Sequence, residues 1–222
     1  LEALTHKFGK NITINFVQGY EKQSTFQEGG NIGQSNTDKV DWKLIDEAVA
    51  VAKKSDVAIV FGGLNHDFDT ESYDKTHMRL PYGQVTLIQE VAKANPNTVV
   101  VIIAGSPVEL AGIVHRVPAI LWAWYGGMEA GNAVVDVLSG KVNPSGKMPF
   151  TLPVSLEQSP AHALGNYPGR NLKVNYEEDI LVGYRWFDTK NVVPQFPFGY
   201  GLSYTSFNLD NLSTDKKVYG KK

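Results

Sequence analysis

Val57-Ala-Ile-Val-Phe-Gly-Gly63 is a continuous apolar run that ends at two glycines. Strands covered on both faces of a parallel sheet have this composition, because neither of their faces meets water. The stretch 98–105 (TVVVIIAG) has the same character, and 118–125 (PAILWAWY) predicts a third strand. Amphipathic helices are predicted at 41–54, 84–94 and 126–140. This alternation predicts an α/β fold, a three-layer sandwich with a mainly parallel, doubly wound sheet and helices on both faces.

Other segments carry weaker patterns. Residues 11–17 (NITINFV) alternate and are rich in β-branched side chains, which predicts a further strand, and residues 18–40 predict a polar loop. A short helix is predicted at 107–115. From Ser145 onward the helical periodicity is lost, so this C-terminal segment is predicted to pack irregularly against the sheet.

Composition narrows the classes of partner and chemistry. The net charge is −2 and the pI is about 6.2, so neither nucleic acid nor an anionic membrane is expected as a partner. Neutral polar substrates, including sugars, remain open. The chain has no cysteine, which excludes disulfides, thiolate nucleophiles and cysteine-ligated metals. No apolar run approaches the roughly 18–20 residues that span a bilayer.

The segment 65–75 (NHDFDTESYDK) holds the densest group of ionisable side chains. Its four carboxylates are Asp67, Asp69, Glu71 and Asp74, accompanied by His66 and Lys75. The segment follows a predicted parallel strand, and ligands of such sheets bind in loops after the carboxyl ends of the strands. Crowded or desolvated carboxyl groups hold protons to higher pH, as general acid–base chemistry requires. Two alternatives stay open, a solvated acidic loop and a metal site, although the EF-hand pattern lacks its glycine and final glutamate.

Motifs for other chemistries are incomplete in this sequence. The stretch 140–148 has the wrong glycine spacing for a P-loop, and the glycines at 62 and 63 lack the third glycine of a dinucleotide fingerprint. Ser106 lacks the flanking residues of a nucleophile elbow. The aromatic side chains of Trp122, Trp124 and Tyr125 have two interpretations, stacking on sugar rings or packing in the core.

A series of segments over nearly the whole chain resembles one known family. The segments are GLN (63–65), TESYDK (70–75), LPYGQ (80–84), KANPNTVVV (93–101), GSPVE (105–109), AWYGGMEAGNA (123–133), PSGKMP (144–149), YEEDILVGYR (176–185) and FPFGYGLSYTSF (196–207). In this order they resemble the C-terminal α/β-sandwich domain of family 3 glycoside hydrolases, in the β-glucosidase and β-xylosidase branch. Each segment is short, but their shared order makes the resemblance specific.

The resemblance implies a retaining, exo-acting β-glycosidase, most directly a β-glucosidase that hydrolyses O-glycosidic bonds of oligosaccharides. In this family an N-terminal (β/α)8 barrel supplies an aspartate nucleophile, and the sandwich domain lends the acid/base glutamate. Glu71 matches that glutamate. Asp74 and Lys75 match an Asp-Arg pair, so Lys75 stands where the family has arginine and Ser72 where it commonly has glycine. Asp69 lies on the same loop as a second candidate acid.

The resemblance also sets the expected organisation. Residues 1–204 would form the sandwich domain, and residues 205–222 would begin a fibronectin-like module or a linker. The expected partners are a glycoside substrate and the barrel domain of the same protein, without cofactor or metal. The barrel is not expected within these 222 residues, so the isolated chain is expected to be inactive. The family favours a periplasmic or extracellular location. The alternative function is a non-catalytic carbohydrate-binding or structural domain.

Overall fold

Three strands form a parallel sheet at the centre of the protein. A computed structural model describes residues 1–9, 11–21, 39–71, 74–216 and 220. In it, β1 (Ala58–Gly63), β2 (Thr98–Ile103) and β3 (Ala119–Trp122) lie side by side in chain order. Val60 pairs with Val100, and Val100 pairs with Ile120 across the sheet. All three predicted parallel strands are confirmed, the third being shorter than predicted.

Helices surround the sheet. They are α1 (Glu2–Phe8), α2 (Trp42–Ala52), α3 (Gln84–Ala94), α4 (Ala130–Leu138), α5 (Pro160–Ala163) and α6 (Tyr184–Lys190). The predicted helices at 41–54, 84–94 and 126–140 correspond to α2, α3 and α4. Asp41 caps α2, because its carboxylate accepts hydrogen bonds from the backbone N–H groups of Lys43 and Leu44. The observed architecture is the predicted α/β sandwich, a parallel sheet with helices packed around it.

The core consists of two adjacent clusters. In the first, α2 packs against α3 through small and aliphatic side chains, namely Ile45, Ala48, Ala52, Leu87 and Val91. The second joins β2 to the chain that follows β1, through Val100, Ile102, Leu64, Phe68 and Leu80. Because Leu64 and Phe68 are buried in this second cluster, the loop after β1 rests directly on the core.

Two predicted elements are wrong. Residues 11–17 form no strand; alternation predicts a half-buried extended segment, but a strand also needs a hydrogen-bonded neighbour, and none is found among the described residues. Val17 and Tyr20 instead pack beside α2 and α3. Residues 107–115 form no helix: residues 107–110 are irregular, and successive turns follow from residue 111 to residue 116. Short helices are marginal, and Gly112 in the interior of this one lowers its stability further. The predicted loop 18–40 lies mostly outside the described residues.

The C-terminal segment is largely irregular, as predicted, and is attached to the core at specific points. Leu152 is completely buried and forms an antiparallel bridge with Phe196. The short helices α5 and α6 interrupt the irregular chain, and α6 contributes buried Trp186 and Phe187. Residues 205–216 contain no helix or strand. Their assignment to a separate module or linker stays a prediction.

Candidate active site

An open cleft lies where the loops that follow the three strands meet. Its volume is about 430 Å³, and it is lined by Phe68, Asp69, Thr70, Glu71, Asp74, Lys75, Gly105, Ser106 and Tyr125. The first six residues follow β1, the next two follow β2, and Tyr125 follows β3. Carboxyl ends of parallel strands share one edge of a sheet, so these loops converge there although they are distant in sequence.

A buried glutamine fixes the end of β1 where the cleft begins. Gln84, at the start of α3, is 1% exposed. Its side-chain amide accepts a hydrogen bond from the N–H of Gly63 at 2.7 Å and donates one to the carbonyl of Gly63 at 2.9 Å. Because both backbone groups of Gly63 are satisfied in this way, the direction in which the chain leaves the sheet is set by α3.

The first half of the loop is a compact turn. The Asn65 side chain accepts a hydrogen bond from the N–H of Asp67 at 2.9 Å, and the Asn65 carbonyl accepts bonds from the N–H groups of Phe68 and Asp69. The hydroxyl of buried Tyr82 donates to the Asp67 carboxylate at 3.0 Å. Asp67 therefore stabilises the turn, and the turn places Asp69, Thr70 and Glu71 at the cleft.

Asp69 is held by donors from both other strand ends. Its carboxylate accepts hydrogen bonds from the Gly105 N–H at 3.1 Å, from the Tyr125 hydroxyl at 2.6 Å and from the Ser106 hydroxyl. A Cβ at position 105 would stand 2.7 Å from the Tyr125 ring. Glycine is therefore required for this close approach of backbone, ring and carboxylate.

Lys75 completes the same network. Its ammonium donates to the Ser106 hydroxyl at 2.5 Å and to the Pro107 carbonyl at 3.1 Å. The distance from its Nζ to the nearer Asp69 oxygen is 3.8 Å, so the two charges attract without a direct hydrogen bond. Both side chains are largely shielded from solvent, at 19% and 14% exposure.

The network determines the protonation of its members. Partial burial raises the pKa of the Asp69 carboxyl, but hydrogen bonds from Ser106 and Tyr125, the Lys75 charge and the Gly105 N–H together lower that pKa below its usual value. Burial, together with the hydrogen bond to Asp69, raises the pKa of Tyr125 to about 12. Asp69 is thus stabilised as an anion, which suits an anchor better than a proton donor.

Acidification should remove the contribution of Asp69 to stability. A carboxyl whose pKa is lowered by folding stabilises the protein above its unfolded pKa of about 4, and this contribution is lost as the pH falls through the folded pKa. We expect Asp69→Asn to lower the free energy of unfolding at pH 7, and the difference from wild type to shrink at pH 3. Urea denaturation at both pH values measures this. A difference of equal size at both would contradict the ionised anchor.

Glu71 and Asp74 have different surroundings from Asp69. Glu71 lies on an exposed turn, and within the described parts of the loop its carboxylate takes part in no hydrogen bond or ion pair. Asp74 interacts with the hydroxyl of Tyr167, and this hydrogen bond raises the pKa of Tyr167. The structure thus brings Asp69, Glu71, Asp74 and Lys75 together in one cleft. Ser72 lies outside the described residues.

The structure also distinguishes between the two interpretations of the aromatic residues that end and follow β3, which were sugar stacking and core packing. Trp122 and Trp124 contact each other and Phe150, with ring centroids 5.5–6.1 Å apart. Trp122 packs against the core, and Trp124 packs on Trp122 and Phe150; of these three strand-end aromatic residues, Tyr125 lines the cleft. Ser106 and Gly105 were not predicted as site residues. Their signal was their position directly after a buried parallel strand, where the same rule that singled out 65–75 applies.

The described residues contain neither a metal-binding group of side chains nor a membrane-spanning helix. Across residues 1–9, 11–21, 39–71, 74–216 and 220, no three histidine, aspartate or glutamate side chains are grouped as metal ligands would be. Over the same ranges, no helix has the length and apolar character needed to cross a membrane.

Comparison with known proteins finds relatives that are named β-glucosidases. The chain is 48% identical over 216 residues to thermostable β-glucosidase B of Acetivibrio thermocellus, covering 97% of this chain and 26% of that protein. It is 45% identical over 212 residues to a β-glucosidase of Bacteroides ovatus, covering 93% of this chain and 27% of that one. The chain therefore spans about a quarter of the length of these curated relatives.

A solved structure and a family model give the same placement. The structure of a family 3 β-glucosidase from Bifidobacterium adolescentis superimposes with a TM-score of 0.78 at 34% identity, covering 92% of this chain and 28% of that one. The model of the glycosyl hydrolase family 3 C-terminal domain matches residues 1–204. This chain belongs to glycosyl hydrolase family 3, of which it carries the C-terminal domain.

Proposed function

We propose that this domain supplies the proton-donating half of the active site of a retaining, exo-acting β-glucosidase, with Glu71 as the general acid and base. The observation that carries the proposal is the contrast between the three carboxylates of the cleft. Asp69 is held by four neighbouring groups and Asp74 faces Tyr167, whereas Glu71 is exposed and has no partner among the described residues. An acid that must reach a substrate oxygen needs this freedom.

The reaction needs a second carboxylate on the opposite side of the sugar. In a retaining enzyme, the two carboxyl groups stand about 5 Å apart, and one of them forms a covalent bond to the anomeric carbon. Asp69 is unsuited to this role because its lone pairs are occupied by Gly105, Ser106 and Tyr125. We infer that the nucleophile is an aspartate of a (β/α)8 barrel domain in the same protein, which closes over the cleft.

The roles of Glu71 follow from the two half-reactions. In the first, the barrel aspartate attacks the anomeric carbon while Glu71 gives its proton to the departing glycosidic oxygen. In the second, the Glu71 carboxylate takes a proton from water, which attacks the same carbon and releases the sugar with its original configuration. Glu71 ends the cycle protonated, ready for the next substrate.

The substrate class is supported by the relatives. Both curated relatives are named β-glucosidases, and the matching structure from Kluyveromyces marxianus is a β-glucosidase in complex with glucose, with a TM-score of 0.72 at 44% identity over 76% of this chain. A neutral sugar is compatible with the low net charge of the chain, −2. We therefore propose β-glucosides as substrates.

The complete protein that carries this domain should hydrolyse 4-nitrophenyl β-glucoside and release β-glucose first, as proton NMR of the anomeric signals would show. The 222-residue chain alone, shown to be folded by circular dichroism, should give no turnover, because one catalytic carboxylate cannot form and break the glycosyl intermediate.

Three outcomes would contradict the proposal. Initial release of α-glucose would mean an inverting mechanism. Turnover by the chain alone would mean that the nucleophile lies within it. An inactive complete protein that binds glucose, with affinity unchanged by Glu71→Gln, would support a non-catalytic carbohydrate-binding domain instead.

A further inference from the structure

We propose that Ser106 is a positioning residue for the acid/base turn: its single hydroxyl ties together the two side chains that bracket Glu71 and so sets the direction of the glutamate in the cleft. This inference rests on the proposed function of Glu71. Asp69 stands two residues before Glu71 and Lys75 four residues after it. Both are bonded to the same Ser106 oxygen.

The direction of the two hydrogen bonds follows from the groups involved. A lysine ammonium has no acceptor, so the Ser106 oxygen must accept from Lys75. An ionised carboxylate has no donor, so the serine proton must go to Asp69. The hydroxyl is therefore used as both donor and acceptor, between a cation and an anion. Hydrogen bonds to charged groups are stronger than neutral ones, which makes this bridge an effective clamp.

The bridge is needed because the ion pair does not close by itself. The Lys75 Nζ and the nearer Asp69 oxygen are 3.8 Å apart, beyond hydrogen-bond distance, and the Ser106 oxygen lies between them. Without this hydroxyl, Asp69 would keep its bonds to Gly105 and Tyr125. Among the described residues, Lys75 would keep its hydrogen bond to the Pro107 carbonyl. Lys75 would then lose one of its two hydrogen bonds to the segment that follows β2.

Ser106 also belongs to a segment that is anchored in the core on both sides. It is part of three consecutive residues after β2 that all contact the turn: the Gly105 N–H and the Ser106 hydroxyl bind Asp69, and the Pro107 carbonyl binds Lys75. The adjoining residues Ala104 and Val108 are completely buried. The turn is therefore attached to a segment that is anchored in the core directly after the central strand, β2.

The test compares serine variants in the complete protein. Ser106→Ala removes the bridge, Ser106→Thr keeps a hydroxyl, and Ser106→Cys offers a side chain of similar size with a weak donor. Ser55→Ala is the matched control, because Ser55 is also partly buried and its hydroxyl donates to the Val51 carbonyl in the last turn of α2, outside the cleft. For each variant, kcat/KM is measured with methyl β-glucoside and with 2,4-dinitrophenyl β-glucoside.

A misplaced acid should slow only the substrate that needs protonation. We expect Ser106→Ala and Ser106→Cys to lower kcat/KM for methyl β-glucoside about tenfold or more, and for the dinitrophenyl glucoside by less than about twofold. Ser106→Thr should recover most of the loss, and Ser55→Ala should not separate the two substrates. If Ser106→Ala does not fold, the comparison of the two glucosides in Ser106→Cys and wild type tests the proposal.

The rate of backbone amide hydrogen exchange measures how firmly the turn is held, independently of catalysis. The backbone amides of Phe68 and Asp69 should exchange faster in Ser106→Ala than in wild type or Ser55→Ala. Unchanged exchange, together with equal losses on both glucosides, would overturn the positioning role. The proposed function fails separately: if Glu71→Gln does not distinguish the two glucosides, Glu71 is not the acid, and the inference about Ser106 falls with it.

Discussion

Glu71→Gln in the complete protein should lower kcat/KM for methyl β-glucoside by about 10²–10⁴-fold, the usual contribution of a general acid, while 2,4-dinitrophenyl β-glucoside should be affected far less. Glutamine has nearly the shape of glutamic acid but cannot give up a proton to the leaving oxygen. A methoxide leaving group needs that proton, whereas dinitrophenolate departs without it. Steady-state kinetics with the two substrates measures the difference directly.

A second measurement separates the base role from the acid role. In the Glu71→Gln variant, water attacks the glycosyl intermediate without a base, so turnover of the dinitrophenyl glucoside should be limited by this step. Azide is a nucleophile that needs no base. Adding azide should therefore accelerate the variant and yield β-glucosyl azide, while leaving the wild type unaffected.

The matched control for Glu71 is Glu47→Gln. Glu47 lies on the exposed side of α2, outside the cleft, so removing its charge should leave both kinetic constants unchanged. Equal losses on the two glucosides in Glu71→Gln, with no response to azide, would contradict the assignment of Glu71.

Gly63→Ala should destabilise the fold by at least about 3 kcal/mol, the range of a steric clash in the core combined with an unfavourable backbone conformation. Gly63 has φ +139°, and a Cβ there would stand 1.8 Å from the carbonyl oxygen of Ile103. Ile103 is its partner in the sheet, so the clash is with backbone that cannot move away. Urea denaturation at pH 7 measures the loss.

The comparison for Gly63 is Gly146→Ala. A Cβ at position 146 would meet no heavy atom within 4 Å, so this substitution should change the free energy of unfolding by less than about 0.5 kcal/mol. If Gly63→Ala were as stable as Gly146→Ala, the end of β1 could not be packed against β2 as described. The cleft loop, which begins at Leu64, would then leave the sheet from a different position.

Most of the sheet and its helices could be predicted from local patterns. β1 and β2 are continuous apolar runs ended by glycine, and α3 was predicted with the bounds that it has, because its apolar side chains recur with the helical period. The strand predicted at 11–17 was wrong for the opposite reason. Its alternation is local, but strand formation depends on a neighbour that the local sequence does not specify.

The cleft was predicted in part. The dense group of charges at 65–75, placed after a buried strand, indicated the correct loop, and the family resemblance singled out Glu71. The sequence did not predict that Asp69 is an ionised anchor; crowding by other carboxylates suggested a raised pKa instead. Two of the groups that lower its pKa, Ser106 and Tyr125, lie 37 and 56 residues further along the chain.

Local sequence therefore decides which segments become strands and helices, because apolar periodicity and glycine act over a few residues. The family of the domain and the position of its acidic loop can also be obtained from the sequence. Only the tertiary structure decides which carboxylate is anchored and which is free. Three parallel strands end at one edge, and this brings Gly105, Ser106 and Tyr125 to Asp69 while leaving Glu71 exposed. Protonation and hydrogen bonding depend on distances through space, which are fixed only when the strands are paired.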